Sequence, residues 1–78
     1  MNEEIFARVK QVLYRIFGEI EVNYNTVAKD VEGWDSLTHI KVISEIQKEF
    51  QVKFSMADLR SFSCVGKIVD CIDKKLNS

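Results

Sequence analysis

Ser36 is the residue of this sequence whose type and position most readily allow chemistry. It lies in the stretch GWDSLTHI, with Asp35 directly before it and His39 three residues after it. Serine is a poor residue for the interior of a helix but a good one for its start. Ser36 could therefore have one of three roles. It could simply begin a helix, its hydroxyl could attack a substrate, or its hydroxyl could accept a covalent group.

A catalytic role for Ser36 needs a general base and donors that stabilise an oxyanion. His39 could approach Ser36 on one helix face, but Asp35 cannot readily orient that imidazole while it caps the helix. We therefore disfavour a Ser-His pair and expect His39 to be a solvated helix residue. A phosphate on Ser36, in contrast, would be favoured by the unpaired N–H groups and partial positive charge of a helix N-terminus.

Cys64 and Cys71 are the other reactive side chains. On one helix they would lie two turns apart, about 10 Å, which is too far for a disulfide. One histidine and the absence of a CxxC motif argue against a metal site. We expect both cysteines to act as small, partly buried hydrophobic side chains.

The length and charge of the chain exclude several classes of function. Its 78 residues make one small domain, 1–78, with too little chain to enclose a deep catalytic cleft. Eleven basic and twelve acidic residues nearly cancel, whereas a nucleic-acid partner needs clustered Lys and Arg.

The acidic N-terminus does not resemble a signal peptide, and no apolar run approaches the roughly 20 residues that span a membrane. We expect a cytoplasmic monomer, or an organellar one after loss of a presequence. The start at Met1 and the closed last helix favour a free-standing chain.

Apolar spacings of three and four residues predict the elements that position Ser36. They indicate helices over 3–17 and 36–50, a short helix over 56–61, and a last helix from 63 or 65 to 76. Asp35 is the predicted N-cap of the second helix, and Ser55 with Asp58 forms a capping box for the short one. The fold class is therefore all-α, a small four-helix bundle with a long first loop over 18–35. That loop should be pinned by its apolar residues, Ile20, Val22, Val27, Val31 and Trp34.

The chain resembles the acyl carrier proteins over nearly its whole length. The likeness lies in the Glu-rich first helix, in GWDSL, in EIQKEFQVKF and in SFSCVGKIVDCI. The resemblance implies that Ser36 carries 4′-phosphopantetheine through a phosphodiester, installed from coenzyme A by a phosphopantetheinyl transferase. The thiol of that group would hold acyl groups as thioesters, while the carrier itself catalyses nothing.

The resemblance also implies roles for the neighbours of Ser36. Asp35 matches the acid that helps to ligate the transferase's magnesium, and Leu37 matches an exposed residue that docks into partners. Asp35 could instead be only a cap and Leu37 only a residue of the apolar stripe. Trp34 should mainly anchor the loop, with partner contact as the alternative. The predicted partner-binding face comprises Trp34, Leu37, Ile40, Lys41, Ser44 and Lys48. The partners implied are acyl- or aminoacyl-activating enzymes, synthases and acyltransferases.

An acyl-chain cleft should lie between the second, short and last helices. Its candidate lining residues are Val42, Ile46, Phe54, Leu59, Phe62 and Ile68, most of which should also be core residues. Because several of them are bulky, the cleft could be small.

The second helix departs from the strongly acidic pattern of common bacterial fatty-acid carriers. It carries Lys41 and Lys48, with Thr38 and Gln47 where acids would be frequent. Because surface charge governs encounter and partner choice, we expect a carrier of a specialised pathway: polyketide, unusual lipid or surface-polysaccharide acylation. The alternatives are an aminoacyl or peptidyl carrier, and a helical interaction module that is never modified.

Overall fold

Four α-helices make up the fold that positions Ser36. The computed structural model describes residues 3–77, with α1 at Glu3–Phe17, α2 at Ser36–Phe50, α3 at Met56–Ser61 and α4 at Val65–Leu76. No strand occurs within 3–77, and the predicted all-α bundle is confirmed. Met1, Asn2 and Ser78 of the predicted domain lie outside the described residues. No helix in the described range is long and apolar enough to cross a membrane.

The core is built from the apolar faces of the three long helices. Helix α1 packs against both α2 and α4. Burial of each large apolar side chain stabilises the fold by about 1.5–3 kcal/mol. The buried core residues are Ile5, Val9, Val12, Leu13, Val42, Ile46, Phe50, Val65, Ile68, Val69 and Ile72. Leu37 and Ile40 have the apolar spacing of three residues that predicts α2, but they are 80% and 67% exposed. The first turns of α2 therefore stand clear of the core.

The predicted helix boundaries rest on local signals that the structure confirms. The side chain of Asp35 accepts a hydrogen bond from the Thr38 N–H and caps α2. Ser55 and Asp58 form the reciprocal capping box of α3. Gly18 ends α1 in the left-handed region, with φ of 81°, and its N–H reaches the Tyr14 carbonyl.

The loop over 18–35 is pinned by apolar side chains, but it is not wholly irregular. Ile20, Val22 and Trp34 pack against the core, and Val31 is buried, as predicted. Val27 is half-buried and precedes a 3₁₀-helix at Ala28–Asp30, which the sequence did not predict. A single turn of three residues has no periodicity to detect, so this element was missed.

The same loop caps the start of α4. Cys64 is the N-cap residue but makes no side-chain capping bond. Backbone carbonyls of the loop act instead: Thr26 accepts from the Val65 N–H at 2.9 Å, and Tyr24 accepts from the Gly66 N–H at 2.8 Å. These bonds satisfy two of the N–H groups that every helix start leaves unpaired. They also bring the loop backbone directly against Gly66.

Both cysteines are free thiols and half-buried, as predicted. They do not share a helix face, because Cys64 precedes α4 and only Cys71 lies within it. Burial, followed by the negative charge of Asp58, raises the pKa of the Cys71 thiol. Both effects disfavour the thiolate, which is the reactive form.

An ion pair between α3 and α4 makes stability depend on pH in the acid range. Lys75 Nζ lies 2.9 Å from Asp58 Oδ2. The hydrogen bond from Lys75, together with that from the Ser55 N–H, lowers the pKa of Asp58 to about 2. A depressed carboxyl pKa stabilises the fold above the unfolded value and loses that effect as pH falls through the folded value.

We expect Lys75→Met to lower the thermal midpoint near neutral pH, with the deficit shrinking as pH falls from about 4 to about 2. The substitution leaves the capping box of α3 intact and removes the charge partner of Asp58, together with the cation 6.0 Å from the centroid of the Phe54 ring. Lys74→Met is the matched control, because it removes the same charge from the same turn of α4. Thermal unfolding followed by circular dichroism between these pH values measures the effect. An equal deficit at pH 2 and pH 7 would contradict it.

Candidate functional site

Ser36 is the first residue of α2, and its side chain is exposed. Its hydroxyl has no hydrogen-bond partner among the described residues. The chain reaches it through a tight turn in which Gly33 has a φ of 88° and the Trp34 N–H donates to the Val31 carbonyl. The turn and the helix start together present the hydroxyl to solvent at the positive end of α2.

Asp35 combines a capping role with a negative charge at neutral pH. Its Oδ1 accepts from the Thr38 N–H at 2.9 Å. This hydrogen bond is the main reason that the pKa of Asp35 lies below its ordinary value. The residue therefore remains a carboxylate around neutral pH. The side chain is exposed, so an oxygen directly beside Ser36 remains accessible to a partner.

Trp34 and His39 form a pair beside Ser36 that the sequence did not predict. Trp34 Nε1 donates to His39 Nδ1 at 3.0 Å, and the two rings stack with centroids 6.0 Å apart. Trp34 also packs on Phe17 of α1, at 5.4 Å between ring centroids. Trp34 thus anchors the loop, whereas the prediction of a solvated His39 was wrong: the residue is half-buried. The spacing of five residues gave no usable signal, because the contact depends on the path of the loop.

This pairing also bears on the Ser-His alternative. A general base must accept a proton through an unprotonated ring nitrogen, and His39 Nδ1 already accepts the indole N–H. No hydrogen bond joins Ser36 to His39 within residues 3–77. Asp35 is engaged by Thr38 and does not orient the imidazole. The arrangement lacks the linked nucleophile, base and orienting acid that covalent catalysis uses.

An open hollow of about 460 Å³ adjoins Ser36. Its walls are Ala28 of the 3₁₀-helix, Trp34, Asp35, Ser36 and His39. The hollow is wide and open to solvent, so it could accommodate a bulky group attached to the hydroxyl. The unpredicted 3₁₀-helix is what supplies its far wall.

The outer face of α2 is apolar at its start and carries exposed lysines further along. Leu37 and Ile40 are the exposed apolar residues, and Lys41 and Lys48 are exposed charges. Ser44, also in the predicted partner-binding face, is half-buried. On α3, Met56 is a further exposed apolar residue, at 66%, which the sequence did not single out.

Both acidic residues of α2 are ion-paired. Glu45 pairs with Lys48 at 3.8 Å. Glu49 pairs with Arg8 at 3.2 Å and Arg15 at 3.3 Å, and these guanidinium groups hold its pKa below the ordinary value. Neither Glu45 nor Glu49 is therefore an unpaired negative charge on α2. The helix therefore does not offer an acidic surface to a partner.

The residues predicted for an acyl cleft are divided between three places. Val42, Ile46 and Ile68 are buried in the core. Phe54 and Phe62 pack edge to face at 4.9 Å, and Phe62 also borders an interior cavity of about 70 Å³ with Ile68. Leu59 alone of the six borders a larger groove, of about 250 Å³, between α2 and α3. Its other lining residues are His39, Ile40, Ile43, Ser44 and Gln47.

Comparison with known proteins places these features in a family. The family described as "Phosphopantetheine attachment site" matches residues 4–72. An acyl carrier protein from Thermotoga maritima is 40% identical over 77 residues, covering 96% of this chain and 95% of that protein. The non-reducing polyketide synthase pkdA from Emericella nidulans is 36% identical over 72 residues. That match covers 91% of this chain but 3% of the synthase.

Proposed function

This chain belongs to the acyl carrier protein family, and from that premise we propose that Ser36 is the residue that carries its phosphopantetheine. As a family member, the chain is a carrier and not a catalyst, and it bears a covalent 4′-phosphopantetheine. The thiol of that group holds acyl groups as thioesters and presents them to synthases and acyltransferases. The observation that supports Ser36 is its exposed, unpaired hydroxyl at the start of α2, within the matched residues.

The surroundings of Ser36 fit the group. A phosphodiester at this position lies at a helix N-terminus, where N–H groups and the helix dipole favour an anion. The hollow bordered by Ala28, Trp34 and His39 is open enough for the attached arm to leave the surface. A Ser36 oxygen would form the new bond to phosphorus, the pyrophosphate bond of coenzyme A would break, and adenosine 3′,5′-bisphosphate would leave. The proton of the hydroxyl would pass to a base of the phosphopantetheinyl transferase.

We propose that Asp35 helps to bind the magnesium ion of the transferase during this reaction. Its carboxylate is ionised and exposed directly beside Ser36, and carboxylate oxygens suit this hard cation. One carboxylate oxygen caps α2 through Thr38. Capping and metal binding are therefore compatible in one residue.

We propose that partners bind the outer face of α2. Leu37 and Ile40 supply exposed apolar contacts, while Lys41 and Lys48 supply the positive charges of this face. Ser44 lies half-buried on the same helix. Trp34 contacts Phe17 and His39 within the chain, so we expect its part in partner binding to be secondary. Cargo held against the carrier should lie in the groove beside Leu59, because the interior cavity is too small for an acyl chain.

The charge of α2 favours a specialised pathway over general fatty-acid synthesis. Glu45 is paired with Lys48 and Glu49 with Arg8 and Arg15, which leaves Lys41 as a further exposed positive charge on α2. Charge complementarity controls encounter rates and the choice of partner. The match to a polyketide synthase is in keeping with acyl chemistry of that kind.

Lys41→Glu combined with Lys48→Glu is expected to increase the rate of acylation by a fatty-acid ligase that recognises acidic carriers. A gain of about tenfold or more would be in the range that electrostatic steering supplies. Lys67→Glu with Lys74→Glu is the matched control, since it changes the net charge equally but on α4. Initial rates at low and high salt measure the effect. Equal rates for both double variants would contradict a role for α2 charge in partner choice.

Loading with a defined donor tests the proposed attachment. The purified protein is incubated with coenzyme A, magnesium and a broad-range phosphopantetheinyl transferase, and its intact mass is measured. We expect a gain of one phosphopantetheine. A folded protein that gains nothing from an active transferase would instead indicate an unmodified interaction module.

A further inference from the structure

The Trp34 N–H determines which nitrogen of His39 carries a proton. Trp34 Nε1 donates to His39 Nδ1 at 3.0 Å, so Nδ1 must be unprotonated. In a neutral imidazole the single proton then lies on Nε2, which becomes a hydrogen-bond donor. His39 Nε2 has no hydrogen-bond partner within residues 3–77. The Nε2–H of His39 is therefore a hydrogen-bond donor without a partner in residues 3–77.

The side chain of His39 borders three neighbouring pockets of the structure. It borders the hollow beside Ser36, the groove between α2 and α3, and the small interior cavity. His39 is also three residues after Ser36 on α2, a spacing that places two side chains on the same helix face. An attached arm that passes from Ser36 into the groove must therefore pass the imidazole ring.

We propose that His39 is a positioning residue, whose Nε2–H donates to a phosphodiester oxygen of the group on Ser36. Trp34 enforces the required tautomer, and the bond directs the arm toward the groove bordered by Ile40 and Leu59. A hydrogen bond from a neutral donor to an anionic oxygen is stronger than one between neutral groups. The proposal rests on attachment at Ser36, and its test separates the two.

Three variants distinguish the two nitrogens of His39. His39→Asn places an amide near the position of Nδ1, so it can still accept from Trp34 but offers no donor near Nε2. His39→Gln places an amide N–H near the position of Nε2 but cannot replace Nδ1. Trp34→Phe keeps an aromatic ring against Phe17 and removes the indole N–H, which frees the imidazole to take either tautomer.

Magnetic resonance provides readouts that are unambiguous here, because the chain has one histidine and one tryptophan. In the unmodified protein, the ¹⁵N shifts of the neutral His39 ring should show the proton on Nε2, and Trp34→Phe should produce a mixture of tautomers. After loading from coenzyme A, the Nε2–H resonance should move downfield. The ³¹P resonance of the phosphodiester should shift in His39→Asn, while His39→Gln should largely retain the wild-type position.

Each alternative result is diagnostic. A proton on Nδ1 in the unmodified protein would overturn the proposal, as would a wild-type His39 resonance that loading leaves unchanged. These two measurements use the unaltered chain, so they stand even if a variant fails to fold. A normal gain of mass with the same ³¹P resonance in wild type and His39→Asn would overturn the positioning role alone. No gain of mass in the wild type would overturn both the attachment and the positioning role.

Discussion

Ser36→Ala is expected to abolish loading completely, because alanine has no hydroxyl oxygen to form the phosphodiester at the first position of α2. The fold should be unaffected. The Ser36 hydroxyl is exposed and has no partner in residues 3–77, and alanine has a better helix propensity than serine. The free energy of unfolding should therefore change by less than about 0.5 kcal/mol. Intact mass after incubation with coenzyme A, magnesium and the transferase measures the loss.

Asp35→Asn tests the neighbouring carboxylate, and Ser44→Ala is the matched control for the loss of a hydroxyl. Asparagine caps a helix as well as aspartate does, so the first variant should fold normally. It removes the charge beside Ser36, and we expect loading to slow by about tenfold or more, as when the surroundings of a metal are disturbed. Ser44→Ala removes another hydroxyl of α2 and should load at the wild-type rate. Full loading of Ser36→Ala would contradict the assignment.

Gly66→Ala is expected to destabilise the fold, although propensity alone predicts the opposite. Gly66 is the second residue of α4, and alanine is favoured over glycine in a helix by at most about 1 kcal/mol. A Cβ at Gly66, however, would lie 2.5 Å from a ring carbon of Tyr24 and 2.8 Å from its carbonyl oxygen. The same carbonyl accepts the Gly66 N–H, so the loop cannot retreat without losing a bond that caps α4. Overpacking of this kind costs about 1–3 kcal/mol, which exceeds the gain from propensity.

Chemical denaturation gives the free energy of unfolding for this comparison. Lys67→Ala is the control, since Lys67 is the exposed neighbour of Gly66 on α4 and its substitution should be nearly neutral. A Gly66→Ala protein more stable than wild type would show that the loop can move away from α4 at little cost.

The elements that the sequence predicted well are those specified by local patterns. The stripe of Ile5, Val9 and Val12 has helical spacing, and Asp35 and Ser55 are residues that start helices. The attachment residue could be proposed for the same reason, because the start of a helix is visible in the sequence. The carrier family followed from motifs spread along the whole chain, and the comparisons confirm it.

The features that the sequence could not predict depend on contacts between distant residues. Helix propensity alone makes Gly66 a weak point of α4, but its lack of a side chain is what lets the Tyr24 carbonyl approach. The bond between Trp34 and His39 depends on how the loop returns to α2. The groove beside Leu59 depends on the separation of α2 and α3, which no periodicity encodes. The residues that line this groove therefore could not be predicted from the positions of apolar residues in the sequence alone.

The central claim is that Ser36 carries the phosphopantetheine, and peptide mapping of the loaded protein tests it most directly. Cleavage after Lys29 and Lys41 releases residues 30–41, DVEGWDSLTHIK, in which Ser36 is the single serine and Thr38 the other hydroxyl residue. Tandem mass spectrometry of this peptide should show the whole added mass, located on Ser36. Added mass on Thr38, or on a peptide outside 30–41, would contradict the claim.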